Sequence, residues 1–242
     1  MNLLRTGLWL LYLILYLIVV CPTALYCKHL RKSGREEQAA EIIERVVHRW
    51  AIRIIKIAGG KVILRGEENI PEEPAVYIAN HQSDFDIPIM LGYVGKPRSL
   101  MAKIELAKVP GVHLWMTLLD CIFLDRSDVK QSVRALMDGA KMVKSGKSIT
   151  IFPEGTRSKG GPAGEFKGGA FKIATKARAP IVPVTIDGSY RLFEQRMRIH
   201  PGTVYVTIHP PIPTVGMTRE EQNALPDKVR DIVLTTLQED VG

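Results

Sequence analysis

The sequence predicts an α/β fold, a mixed central sheet flanked by helices, preceded by an N-terminal two-helix membrane anchor. Three observations carry this expectation. From residue 61 onward, short apolar runs alternate with helical patterns, the pattern of a layered sheet. An uncharged apolar stretch, residues 6–27, stands ahead of them. Between the two, residues 36–58 repeat apolar pairs at steps of three or four, which is a helical period.

At 1.5 Å per residue the 6–27 stretch gives about 33 Å of helix, enough to cross a hydrocarbon core. Pro22 falls late in it and can kink or end the helix. No small-x-small cleavage site follows, so a secretory signal peptide fits poorly. Lys28, His29, Arg31, Lys32 and Arg35 come directly after. The positive-inside rule then predicts a cell-membrane protein with the downstream domain on the cytoplasmic face.

In residues 36–58 the pairs run from Ala39/Ala40 to Ile57/Ala58, and the other face carries Arg45, Arg49, Arg53 and Lys56. Beside a membrane-length run this reads as an interfacial helix meeting anionic lipid. The same stripe also suits a solvated face with i,i+4 pairs such as Glu41 with Arg45. Gly59-Gly60 ends the helix. The chain is thereby divided into membrane-associated helices at 1–58 and an α/β domain at 59–242.

Within that domain strands are expected at 61–66, 75–80, 99–102, 121–125, 148–153, 181–187 and 203–210. Helices are expected at 128–144, 167–176 and 218–238, with another starting just past Asp86. A length of 242 residues suffices for one large or two small domains. The net charge of +8 favours an anionic partner, membrane or nucleic acid. Few aromatics and no RNA-binding or zinc-finger signature argue against nucleic acid. Three cysteines make neither a disulfide framework nor a four-ligand zinc site, and read as reduced thiols.

Two polar turns carry chemistry. Asn80-His81-Gln82-Ser83-Asp84-Phe85-Asp86 follows one strand and opens a helix. Histidine takes a proton near neutral pH, and a carboxylate fixes its tautomer and raises its basicity. On a continuous helix His81 and Asp86 would point about 140° apart, so the turn must bring them together. A surface histidine beside an ordinary N-cap is the other reading of the same residues. The second turn, Pro153-Glu154-Gly155-Thr156-Arg157-Ser158, offers backbone N–H groups, a hydroxyl and a guanidinium, a phosphate cradle or simply a turn. Gly146-Lys147-Ser148 is no P-loop, because Lys141 stands where the first glycine belongs. No G-x-S-x-G pentapeptide marks a serine hydrolase.

Taken together, the blocks resemble the 1-acylglycerol-3-phosphate (lysophosphatidate) acyltransferase family of glycerolipid acyltransferases. His-x4-Asp matches His81 to Asp86, and the second block matches Ile122-Phe123-Leu124-Asp125-Arg126. FPEGTRS matches Phe152 to Ser158, the F-K-x-G-A-F link matches Phe166 to Phe171, and the hydrophobic-proline block matches Ile181-Val182-Pro183-Val184. Asp120 departs from the glycine that usually opens the second block.

The resemblance implies transfer of an acyl group from acyl-CoA or acyl carrier protein to the sn-2 hydroxyl of lysophosphatidic acid, giving phosphatidic acid. The alternatives it leaves are another lysophospholipid or glycerol-3-phosphate as acceptor, or a non-catalytic lipid-binding relative. It implies His81 as general base, Asp86 as its orienter, and Arg157 with Lys103 and Arg126 on the phosphate. Gly155 and its neighbours, Thr156 included, would offer oxyanion donors, while Glu154 would shape the turn. No metal and no cofactor beyond the thioester co-substrate is implied. The partners are the phospholipid bilayer, lysophosphatidic acid and the thioester donor. In relatives such a helix pair can sit within one leaflet, so the reach of the first helix stays open.

Overall fold

The computed structural model describes residues 2–237. Residue 1 and residues 238–242, the outer ends of the two predicted parts and of the predicted 218–238 helix, lie outside the described residues. The first helix, α1 (Asn2–Lys32), continues through Pro22 and past the apolar stretch. It continues because its last turns have something to pack on. Ala24, Cys27 and Leu30 are buried in one cluster with Ala39, Ile43 and Val47 of α2 (Glu36–Ala58).

The chain reverses at Gly34, whose φ of 73° lies in the left-handed region that glycine enters without a Cβ clash. Running back, α2 takes two hydrogen bonds from α1. Trp9 Nε1 donates to the Ile54 carbonyl at 3.2 Å, and Tyr16 OH to that of Val46 at 3.3 Å.

The sheet has seven strands in the order β1-β7-β6-β2-β5-β3-β4. They are β1 (Gly60–Arg65), β2 (Val76–Ala79), β3 (Ser99–Lys103), β4 (Ile122–Leu124), β5 (Ile149–Ile151), β6 (Ile181–Asp187) and β7 (Gly202–Ile208). All neighbours are parallel except β6 with β7, so the sheet is mixed as expected. The other helices are α3 (Asp86–Gly92), α4 (Pro110–Leu118), α5 (Val129–Lys144), α6 (Gly169–Ala177) and α7 (Arg219–Leu234).

Alternating side chains send β2 into two cores. Tyr77 and Ala79 join Val182, Val184 and the α2 residues Ile54, Ile55 and Ala58 on one face. Val76 and Ile78 join Ile149, Ile181 and α5, α6 and α7 on the other. The apolar face of α2 is therefore protein core, which corrects its reading as an interfacial helix. An amphipathic helix has the same period whether its apolar side meets lipid or a sheet.

A row of exposed apolar side chains runs along α1, where Leu4, Leu8, Ile14, Leu15 and Ile18 are all at least half exposed. This helix is long and apolar enough to cross a membrane.

Asp120 takes a left-handed φ of 56°. Its carboxylate ties the end of α1 to the sheet edge, meeting Arg31 at 3.0 Å and Lys147 at 2.8 Å.

Parallel topology places the working edge. From β2 the chain leaves through α3, which packs in the α2 layer, and from β5 through α6, which packs in the α5–α7 layer. Since β2 and β5 are neighbours, their connections part to opposite faces. A crevice forms beyond the carboxyl ends of strands at such a switch point, and both polar turns lie there.

Candidate active site

Side chains extend the pairing of β2 beyond its last residue. The amide of Asn80 donates to the Ile186 carbonyl and accepts from its N–H, both at 2.8 Å, and Gln82 Oε1 accepts from the Gly188 N–H at 2.9 Å. His81 lies between these two anchors. Its N–H donates to Glu154 Oε1 at 2.7 Å, and its carbonyl accepts from the Ser158 N–H at 2.8 Å. The two polar turns are thus laced together.

The turn does what a continuous helix would not. His81 Nδ1 lies 2.8 Å from Asp86 Oδ2. The same oxygen accepts from the N–H groups of Gln82 at 2.6 Å and Ser83 at 2.8 Å. An oxygen surrounded by donors is used as an acceptor, which puts the imidazole proton on Nδ1 and leaves Nε2 with a free lone pair. Asp86 is fully buried at the start of α3, and the His81 ring stacks on Phe152 with centroids 4.3 Å apart. Tautomer, tilt and height of the ring are all set. Chemically, the pair can accept one proton at Nε2 and hold the resulting imidazolium against a carboxylate.

Glu154 shapes the turn. Besides His81 it accepts the Gly164 N–H on Oε2 at 2.8 Å. Burial pushes its carboxyl pKa up, opposed by those two N–H bonds. Gly155 is left-handed with φ 76°, and its N–H closes the turn onto the Phe152 carbonyl at 3.1 Å. That group is therefore already engaged, which corrects the expectation of Gly155 as an oxyanion donor. Among the described residues nothing accepts from the N–H groups of Thr156 and Arg157. The Thr156 side chain is exposed beside them.

The cations fall into three groups. Arg126 donates to the Gly155 carbonyl, and a Cβ on Gly155 would meet its guanidinium at 3.1 Å and Lys167 Nζ at 3.2 Å. Arg126 and Lys167 therefore converge on one glycine. Arg157 pairs instead with Asp84 and, at 3.2 Å, with Glu194. Lys103 ends β3 at the same sheet edge, but its exposed ammonium pairs with Glu105 at 2.9 Å.

Two of these residues escape a reading of the sequence. Lys167 sits inside a visible motif yet carried no assigned role. Glu194 lies beyond every recognisable block, and no local signal marks it.

Comparisons place this geometry among known proteins. A family model described as Acyltransferase matches residues 61–187. The 1-acyl-sn-glycerol-3-phosphate acyltransferase of Borreliella burgdorferi is 32% identical over 80% of this chain and 78% of its own length. The human 1-acyl-sn-glycerol-3-phosphate acyltransferase alpha is 31% identical over 96% of this chain and 78% of its own. The crystal structure of the 1-acyl-sn-glycerophosphate (LPA) acyltransferase PlsC from Thermotoga maritima superposes with a TM-score of 0.83 at 30% identity. It covers 100% of this chain and 97% of that one.

Proposed function

Because the chain belongs to the acyltransferase family, we propose that it is a 1-acyl-sn-glycerol-3-phosphate acyltransferase. It moves a fatty acyl group from a thioester donor, acyl-CoA or acyl carrier protein, to the sn-2 hydroxyl of lysophosphatidic acid. The observation that carries this reading is the buried Asp86 carboxylate 2.8 Å from Nδ1 of His81, with Nε2 left to face an acceptor hydroxyl.

In the proposed reaction Nε2 takes the hydroxyl proton as the oxygen attacks the thioester carbonyl. The oxyanion of the tetrahedral intermediate is met by the Thr156 and Arg157 N–H groups. On collapse the C–S bond breaks, and the imidazolium returns its proton to the departing thiolate. Both substrates are bound together, so no acyl-enzyme and no prosthetic group is called on. A general base contributes typically about 10²–10⁴-fold. Arg157 with Arg126 and Lys103 supplies positive charge for the acceptor phosphate, and Glu154 keeps the turn in shape.

Within residues 1–58, α1 would face the membrane while α2 packs on the catalytic part, 59–242, at the cytoplasmic face of the cell membrane. The exposed side of α1 supports membrane contact. Its opposite side lies along α2, a packing that favours embedding within one leaflet over a free span.

The deciding experiment supplies purified protein with acyl-CoA or acyl carrier protein and a panel of acceptors. The reading expects phosphatidate from lysophosphatidate as the favoured product. Preference for glycerol-3-phosphate or another lysophospholipid would reassign the acceptor, and no transfer at all would make the chain a lipid binder.

A further inference from the structure

Residues 193–199 join the active site to the first turns of α1. At the start of this loop Glu194 is buried and accepts from Ser83 Oγ at 2.6 Å and the Asp84 N–H at 2.8 Å. At its end the Ile199 N–H donates to Thr6 Oγ1 at 3.0 Å, fastening the loop to the first turns of α1. Trp9, one turn further along α1, packs on Phe85 of the catalytic turn with ring centroids 5.4 Å apart. Loop, first turns of α1 and catalytic turn are therefore joined by direct contacts.

The stretch between those fastenings faces outward. Met197 is 65% exposed at a left-handed φ of 50°, with exposed Arg196 and Arg198 on either side. A single exposed methionine is ordinary on a protein surface. This one stands two residues before Ile199, which is fastened at Thr6 to the end of α1 whose outward residues Leu3, Leu4 and Leu8 are 66%, 70% and 56% exposed. The loop carries no acidic side chain except the buried Glu194. A flexible apolar tip between two guanidiniums suits a bilayer surface, apolar atoms entering the headgroup layer and cations meeting lipid phosphates.

We infer that residues 193–199 form a second membrane contact, with Met197 entering an anionic bilayer surface and Arg196 and Arg198 binding its phosphates. The contact sets the mouth of the site against the leaflet that holds the acceptor. It rests on the reading of α1 as membrane-facing.

The test uses the full chain carrying Met197→Cys in a Cys21→Ser background, because Cys21 is exposed while Cys27 and Cys121 are buried. A polarity-sensitive fluorophore on that cysteine is followed with phosphatidylcholine vesicles, with and without phosphatidylglycerol. The expected result is a blue shift on the anionic vesicles, with quenching by spin labels carried in the bilayer. Arg196→Ser with Arg198→Ser should weaken that signal by about 5-fold in vesicle affinity per arginine removed. Sedimentation with the vesicles while the label stays in water would overturn the loop contact alone. No sedimentation would overturn it together with the reading of α1.

Discussion

Glu194 Oε1 lies 3.2 Å from Nη1 of Arg157, the carboxylate side chain 2% exposed and the guanidinium 32%. Asp84, the other partner of that guanidinium, is 67% exposed. The two pairs differ in what can displace them. A buried carboxylate held by Ser83 and a backbone N–H keeps its partner, whereas a solvated one exchanges readily with another anion. Arg157→Ala should lower kcat/KM for lysophosphatidate by about 10–150-fold, the worth of a charge-assisted hydrogen bond. A monoacylglycerol acceptor, lacking the phosphate, should lose much less. Asp84→Asn should lower KM for lysophosphatidate, since it removes the anion that competes for the fork. An unchanged acceptor ratio in Arg157→Ala would move the phosphate to Arg126 and Lys167.

His81→Ala should cost about 10²–10⁴-fold in kcat with the fold intact by circular dichroism. Asp86→Asn should lower kcat in the same direction, because an amide cannot serve all three donors that converge on Oδ2. Near wild-type turnover by folded His81→Ala would assign the proton transfer elsewhere.

Much of this site is legible in the sequence because its parts are local. The H-x4-D turn and the FPEGTRS turn each follow a short strand-like run, and β2 and β5 appear within a residue or two of their expected positions. What the sequence conceals is long-range. Asn80 pairs with Ile186, and Glu194 closes on residues more than a hundred positions earlier. The helix α4 is hidden for a local reason. Pro110-Gly111 reads as a turn, yet proline is at home in the first turn of a helix. The basic stripe of α2 suggested lipid, but only packing could show that its apolar side was already covered.

His209 gives the fold a pH dependence. Burial holds its pKa below the ordinary 6.5. Thr185 Oγ1 donates to the Val233 carbonyl and so is free to accept from His209 Nε2 at 2.8 Å, joining β6, the residue after β7 and α7. A depressed folded pKa means that the unfolded chain binds the extra proton first. The contribution is therefore complete above pH 6.5 and lost as pH falls through the folded value. The Tm should drop between pH 7 and pH 5, and His209→Gln should flatten that slope. Equal slopes in the two proteins would remove His209 from the account.

Gly155→Ala should destabilise the turn by about 1–2 kcal/mol, the cost of a left-handed conformation for a residue with a Cβ. The added methyl would also press on Arg126 and Lys167. Thermal unfolding reports the first effect and the KM for lysophosphatidate the second. A rise in KM larger than the fall in stability would locate the phosphate near those two cations.

The two sides of α1 should respond in opposite ways to substitution. Leu8, Leu15 and Ile18 are 56%, 50% and 63% exposed, whereas Leu30 is fully buried against α2. Leu30→Ala leaves a cavity and should cost about 2–5 kcal/mol of stability. Replacing Leu8, Leu15 and Ile18 with Gln should leave Tm nearly unchanged, because those side chains touch little in the protein. Each should weaken vesicle binding by about 1.5–3 kcal/mol where the side chain is fully inserted. Raising salt should weaken the binding of the wild type only in part, since screening acts on exposed charge and not on apolar insertion. Removing all of residues 1–58 is the poorer test, because Ile54, Ile55 and Ala58 belong to the same core as Val182 and Val184. The measurement is vesicle sedimentation beside thermal unfolding for each variant. A triple variant that melts early but binds as tightly as wild type would show that the outward face of α1 is structural and that another surface holds the membrane.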